Sequence, residues 1–396
     1  MKVHKSILTL AAGHFLVDAY AGMLGAFLPF LRDELNLSLT QAGILGGALV
    51  FSSSLMQPLY GYLADRLRHK VFAAMGPAVA GVFICSLGIA PGFITLLFLV
   101  FLGGVGIAAF HPQGAAVTAE VGVQRRGYQM AVFITGGMIG YAMGPIYITS
   151  VITLAGLNNS YWAALPGVLM SAYLLKYGPS PQEVEKKIRG THLRERLKEN
   201  RRLLLIHYSL VVVRSINHIV FVAFIPLYLT QRGHSAMEAA LGLTLFLLAG
   251  AISGLWGGIL ADRYGGKRVL IVSMIGYAPL ALAFLLTTGP ISTLLCTLAG
   301  AFLLLSNPVN VVMAQRLIPE AASTVASLMM GFAWGVSGFI LPSVGILSDV
   351  FGLQTILLCV VLLTSPGVLP AFLLPPAQKP RTILGNLSSE GQVLKT

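Results

Sequence analysis

This sequence has little charge. Only 10% of its 396 residues are Asp, Glu, Lys or Arg, where a water-soluble domain carries roughly 25%, and 56% are hydrophobic. The mean hydropathy is +0.81. Together these exclude a water-soluble globular protein and leave one whose main solvent is lipid. Acidic charge is scarcer than basic, 14 Asp and Glu against 26 Lys and Arg. Such an excess would suit nucleic acid if it formed a stripe. Here Lys and Arg sit in short gaps between apolar runs, which is how a membrane protein sets its orientation, so no nucleic-acid partner is expected. Cysteine is rare too. Cys85, Cys296 and Cys359 lie inside apolar runs with neither metal-ligand spacing nor a disulfide framework, and read as small packing residues. No Gly-x-x-x-x-Gly-Lys phosphate loop and no positioned serine–histidine–acid grouping occurs. No enzyme activity, cofactor or metal is therefore expected.

What is present is a repeat. Gly61-Tyr62-Leu63-Ala64-Asp65-Arg66 returns as Gly258-Ile259-Leu260-Ala261-Asp262-Arg263, and Pro29, Pro112 and Pro145 return as Pro226, Pro308 and Pro342. Punctuation that recurs after half the chain marks two related halves, and in a membrane protein the site is expected between them. Runs of the roughly 20 apolar residues needed to span a bilayer occur at 6–31, 41–63, 70–90, 93–118, 127–156 and 160–177, then at 203–230, 238–261, 267–288, 291–316, 322–348 and 354–375. The predicted fold is all-α and integral to the membrane, with twelve transmembrane helices in two pseudo-symmetric six-helix bundles. The expected domains are 1–177, a linker over 178–202, 203–375 and a tail over 376–396. The linker begins at Pro179-Ser180-Pro181 and pairs Glu183 with Lys187 and Glu185 with Arg189 at i,i+4 spacing. It reads equally as a short helix on anionic lipid or as a solvated connector.

Lys2 and Lys5 ahead of the first run look like the start of a signal peptide, but the run continues to Leu31 and carries Asp18. It reads as a retained first helix. Putting the N-terminus inside the cell gathers Lys2, Lys5, Arg66, Arg68, Lys70, Arg125, Arg126, Arg263, Lys267, Arg268 and Arg316 on the cytoplasmic side and leaves Arg32 and Arg232 outside. Both termini are therefore expected in the cytoplasm, and the protein in the cell (inner) membrane.

The doubled segments Gly61-x-x-x-Asp65-Arg66 and Gly258-x-x-x-Asp262-Arg263 sit at helix ends. There glycine lets helices approach, an aspartate can cap the next helix N-terminus, and the basic residues hold the loop inside. They resemble the loop between helices 2 and 3 of the major facilitator superfamily and its echo between helices 8 and 9, a resemblance that covers residues 6–375. Arg68 and Val71 depart from the usual first copy. The resemblance implies alternating access, with Gly61, Asp65, Arg66, Gly258, Asp262 and Arg263 at a cytoplasmic gate; a plain topology anchor is the other reading. Gly140-x-x-x-Gly144-Pro145 resembles the antiporter signature of drug-exporting members, and small-x-x-x-small spacing also serves helix packing. The arginine of helix 4 expected near Val100 is absent. Gly13-His14-Phe15-x-x-Asp18-x-Tyr20 and Phe110-His111-Pro112-Gln113 are similar to the fosmidomycin-resistance branch, apart from Gln113, where an acidic residue is expected. That branch implies proton-linked export of small or amphiphilic compounds, hence drug efflux by antiport.

An ionisable side chain at mid-bilayer costs at least about 2.5–3.5 kcal/mol. Asp18 and His14 lie one turn apart in the first run, and Arg214 and His218 share that spacing in the seventh, beside Asn217. An Asp18–Arg214 pair across the halves would neutralise both. The alternative makes Asp18 a proton carrier, with His14 and His111 as further proton-coupling candidates. His111 and Gln113 flank Pro112, and Asn307 and Asn310 flank Pro308, where a proline frees a backbone carbonyl beside a cavity. With Arg214, Asn217, His218, Tyr141 and Trp334 they form the predicted substrate-binding set. Glu120, Arg125 and Arg126 read as gate or topology residues. The partners expected are a small-molecule substrate, protons and membrane lipid, with the protein monomeric. An importer or uniporter of an organic anion, and a transport-inactive membrane sensor or scaffold, are the alternatives.

Overall fold

The computed structural model describes residues 5–57, 59–60, 62–63, 70–121, 126–179, 193–318, 325 and 328–375. Apolar runs of this length fold as helices because lipid offers no partner for backbone N–H and C=O groups. The expected all-α, twelve-helix membrane architecture is what forms. The first half holds α1 (Lys5–Leu35), α2 (Leu39–Leu55), α3 (Val71–Ile89), α4 (Phe93–Val121), α5 (Arg126–Ala155) and α6 (Leu165–Tyr177). The second holds α7 (Arg201–Gln231), α8 (Ala236–Tyr264), α9 (Gly266–Leu286), α10 (Gly289–Gln315), α11 (Leu328–Phe351) and α12 (Leu353–Phe372). Among the described residues ten of these are long and apolar enough to cross a membrane, and Leu39–Leu55 is shorter. A 3-10 segment, Leu157–Ala164, lengthens α6. Of the linker, an exposed helix covers Leu193–Glu199; Glu183, Glu185, Lys187 and Arg189 lie outside the described residues.

The repeat reaches into local structure. Ser38 and Gln41 form a capping box at the start of α2, and Ser235 and Glu238 form the matching one at the start of α8. Gly156 and Gly352, with φ of 87° and 84°, make the turns into the α6 segment and into α12, a backbone region open to glycine at no steric cost.

Packing sorts the helices by depth. The apolar window of α7 is 83% buried and that of α1 61%, against 22% for α12. Helices α1 and α7 are central, and α12 faces outward. Helix α1 packs mainly on α5, α3 on α4 and α6, and α10 on α8 and α9. The halves meet where α2 lies on α11, α5 on α8 and α1 on α7. Small residues make these seams. A Cβ on Gly140 would strike the Phe15 carbonyl and one on Gly144 the Ala19 carbonyl, so the predicted packing glycines draw α5 onto α1. Pro145 lies in the same helix. With lipid as apolar as the side chains, such close approach supplies much of the association energy.

Candidate functional site

The centre of the first bundle holds three ionisable side chains in contact. Asp18 of α1 lies 3.2 Å from His14 Nε2 on its own helix and 2.9 Å from His111 Nε2 on α4. His14 is stacked on Phe133 at 4.2 Å and tilted against Phe110. Its side chain is 8% exposed, against 18% for Asp18 and 24% for His111. The cluster therefore has a dry aromatic back and a wetter face. Gly137 on α5 makes room for it, since a Cβ there would press on both His14 and Asp18.

The backs of the two imidazoles decide what the cluster can do. His14 Nδ1 lies 2.9 Å from the Phe133 carbonyl, and His111 Nδ1 lies 2.8 Å from the Ile107 carbonyl. A carbonyl oxygen only accepts, so both Nδ1 atoms carry the hydrogen and donate it. In a neutral imidazole each Nε2 is then a bare lone pair turned toward a carboxylate. Each contact becomes a hydrogen bond only when a proton enters it, on the imidazole or on Asp18. The cluster has two such places. Its three ligand atoms also lie within 4.8 Å of one another, a spacing that a metal ion could share.

Arg214 is not part of this cluster, which corrects the expected Asp18–Arg214 pair. It sits inside the second bundle beside Val213, Asn217, Tyr277 and Thr364, with no carboxylate partner among the described residues. Asp18 is served instead by the two histidines, one of them on its own helix. Asn217 is likewise turned to α12, donating to Thr364 Oγ1 at 2.8 Å. His218 faces the seam between the halves. Its ring lies 6.1 Å from that of Tyr141 on α5 and 4.9 Å from that of Trp334 on α11, so three predicted binding residues meet across the halves as one aromatic group.

Two others serve helix contacts. The Gln113 side-chain oxygen accepts the Ala73 N–H at 2.7 Å, joining α4 to α3. Asn310 is hydrogen-bonded to the His207 ring and donates to the His207 carbonyl, joining α10 to α7. Asn307 is half-buried at the α10 break.

At the predicted gate, Gly61, Asp65 and Arg66 lie outside the described residues, as do Arg125 and the side chains of Glu120 and Arg126. The second copy differs from expectation in two ways. Space is open around Gly258, and the close approach belongs to Gly257, against the Leu305 carbonyl. Asp262 is exposed and does not cap α9, whose N-cap is Gly265. Arg263 lies 5.2 Å from the ring of Tyr264. A capping aspartate occurs elsewhere. Asp349 of α11 accepts the Leu39 and Thr40 N–H groups at 2.8 Å each and the Thr40 hydroxyl at 2.6 Å. It thereby caps α2 of the opposite half, where the helix dipole favours an anion. Gly345 brings α11 against Leu39 and Thr40 at the same place. The spacing Gly345-x-x-x-Asp349 repeats that of the two loop segments, a signal the sequence reading passed over.

The model of the Major Facilitator Superfamily matches residues 10–342. An uncharacterized MFS-type transporter, YfnC, of Bacillus subtilis (strain 168) is 31% identical over 389 residues, covering 96% of this chain and 95% of that protein. The fosmidomycin resistance protein of Escherichia coli (strain K12) is 26% identical, covering 92% and 91%. Among solved structures, a bacterial homolog of the human lysosomal transporter Spinster, inward-facing and unoccupied, superposes with a TM-score of 0.79 at 14% identity, over 93% of this chain and 96% of that one. The chain belongs to the major facilitator superfamily, whose members here are transporters and not enzymes, and it resembles the fosmidomycin-resistance branch.

Proposed function

We propose that the protein is a proton-coupled exporter of a small organic or amphiphilic compound, working by alternating access in the cell membrane with both termini in the cytoplasm. The observation that carries this reading is the count of proton places around Asp18. Two Nδ1–H groups are committed to backbone carbonyls, so two contacts to one carboxylate await protons. Filling both takes the cluster from a net charge of −1 to +1. A charge change of that size at bilayer depth biases any conformational equilibrium that alters its exposure. Export is supported by the relative named for fosmidomycin resistance and by the aromatic group of Tyr141, His218 and Trp334. That group spans the seam, where apolar planar surface would be held in one access state and released in the other. The organic-anion alternative draws on Arg214, His218 and His111 around one cavity, and Arg214 lies within the second bundle.

The test uses proteoliposomes and a substrate found by a ligand-stabilisation screen on the purified protein. Asp18→Asn should abolish accumulation driven by a pH gradient while leaving substrate counter-flow, which needs no net proton movement. Uphill accumulation by Asp18→Asn at the wild-type level would refute the coupling role. A wild type without counter-flow of any screened ligand would favour a sensor or scaffold.

A further inference from the structure

Among the described residues, the second bundle holds a cation with no counter-ion. Arg214 is 3% exposed, and its Nε and Nη2 atoms are buried without a hydrogen-bond partner. It borders a cavity of about 20 Å³ between α7, α9, α10 and α12, which Asn217, Ser273, Tyr277 and Thr364 also line. The Tyr277 hydroxyl, on a residue 4% exposed, is likewise buried without a partner. The other polar groups around the cavity are engaged. Asn217 and Thr364 bond to each other, and Ser273 bonds to Ser306 and the Phe302 carbonyl.

The free capacity is thus donor capacity. A guanidinium cannot accept a hydrogen bond, so whatever fills the cavity must accept several and bring few protons of its own. A water molecule fits by volume, but it leaves a whole positive charge uncompensated inside the bilayer. A small anion at the cavity that Arg214 and Tyr277 both line accepts from such donors and cancels the charge. A compact inorganic anion needs less of that space than an organic carboxylate. We infer that Arg214 and Tyr277 form a binding site for a small inorganic anion within the second bundle, with chloride and bromide as the probes that test it. Nothing in this inference depends on proton coupling.

The full-length protein, purified in detergent, is melted in sodium gluconate progressively replaced by sodium chloride or bromide at constant ionic strength. A ligand of the native state raises the melting temperature with its concentration. The expected result is a saturable rise with chloride and bromide that sodium gluconate at the same ionic strength does not give. Arg214→Gln should abolish it, and Tyr277→Phe should move its midpoint to roughly tenfold higher chloride, the loss of one hydrogen bond to a charged group. Wild-type crystals soaked in bromide give a second readout that needs no variant, an anomalous peak beside Arg214. Wild-type melting indifferent to halide, a cavity without bromide, or a rise that survives Arg214→Gln would each overturn the site.

Discussion

His111 and Asp18 differ in what their loss removes. A glutamine at 111 can still donate to the carboxylate but cannot titrate, so His111→Gln deletes one of the two proton places and keeps the contact. Gradient-driven transport in that variant should depend on pH less steeply, approaching a one-proton dependence, where wild type approaches two. Proteoliposome uptake across a series of pH gradients measures this, and an unchanged slope would place the second proton elsewhere. Gly140 is a packing counterpart. A side chain there meets the Phe15 backbone, which cannot swing aside, so Gly140→Val should destabilise the fold by roughly 1–3 kcal/mol and lower the melting temperature in detergent. At this scale the sequence was legible in part. The i,i+4 pair of His14 and Asp18 could be read directly. Their junction with His111 could not, because it depends on how α4 is rotated against α1. Arg214 was misplaced for a related reason. The apolar window of α7 is 83% buried, so its periodicity marks no single cavity-facing side.

Helices α2 and α11 carry the seam that latches one end of the molecule. Asp349 holds the α2 N-terminus, and both helices contain a π-helical turn nearer the other end, Phe51–Leu55 and Leu328–Phe332, the kind of irregularity that often marks functional sites. Removing a carboxylate cap costs about 1 kcal/mol, and here that cost falls only on the state in which α2 and α11 touch. Asp349→Ala should therefore shift the population about fivefold toward the outward-open form. A cysteine at Ala42, buried on α2, should then react faster with an impermeant thiol reagent added outside, in a background free of the native cysteines. Equal rates with and without Asp349 would show that the cap is not a gate. The twelve helices and their repeat were plain from hydropathy and punctuation, since lipid allows so few alternatives. The latch was not, although Gly345-x-x-x-Asp349 has the same spacing as the two loop segments. An aspartate at a helix end does not reveal which helix it caps until the halves are assembled.

For the whole molecule, the proposed topology places the α5–α6 and α7–α8 turns outside and the linker inside. Single cysteines at Asn158 and Gln231, both exposed, should label with an impermeant reagent on intact cells, and one at Glu199, exposed on the linker helix, should not. Labelling at Glu199 in sealed cells would reverse the orientation. The central claim is that His14 and His111 keep Nδ1–H bonded to the backbone and exchange protons at Nε2 with Asp18. Nitrogen-15 NMR of histidine-labelled protein in lipid reads this directly, with the two signals assigned by their loss in His14→Gln and His111→Gln. The account predicts a protonated Nδ1 in both rings, with any further proton of either ring carried on Nε2. Either ring found with a bare Nδ1 and a permanent Nε2–H would contradict it.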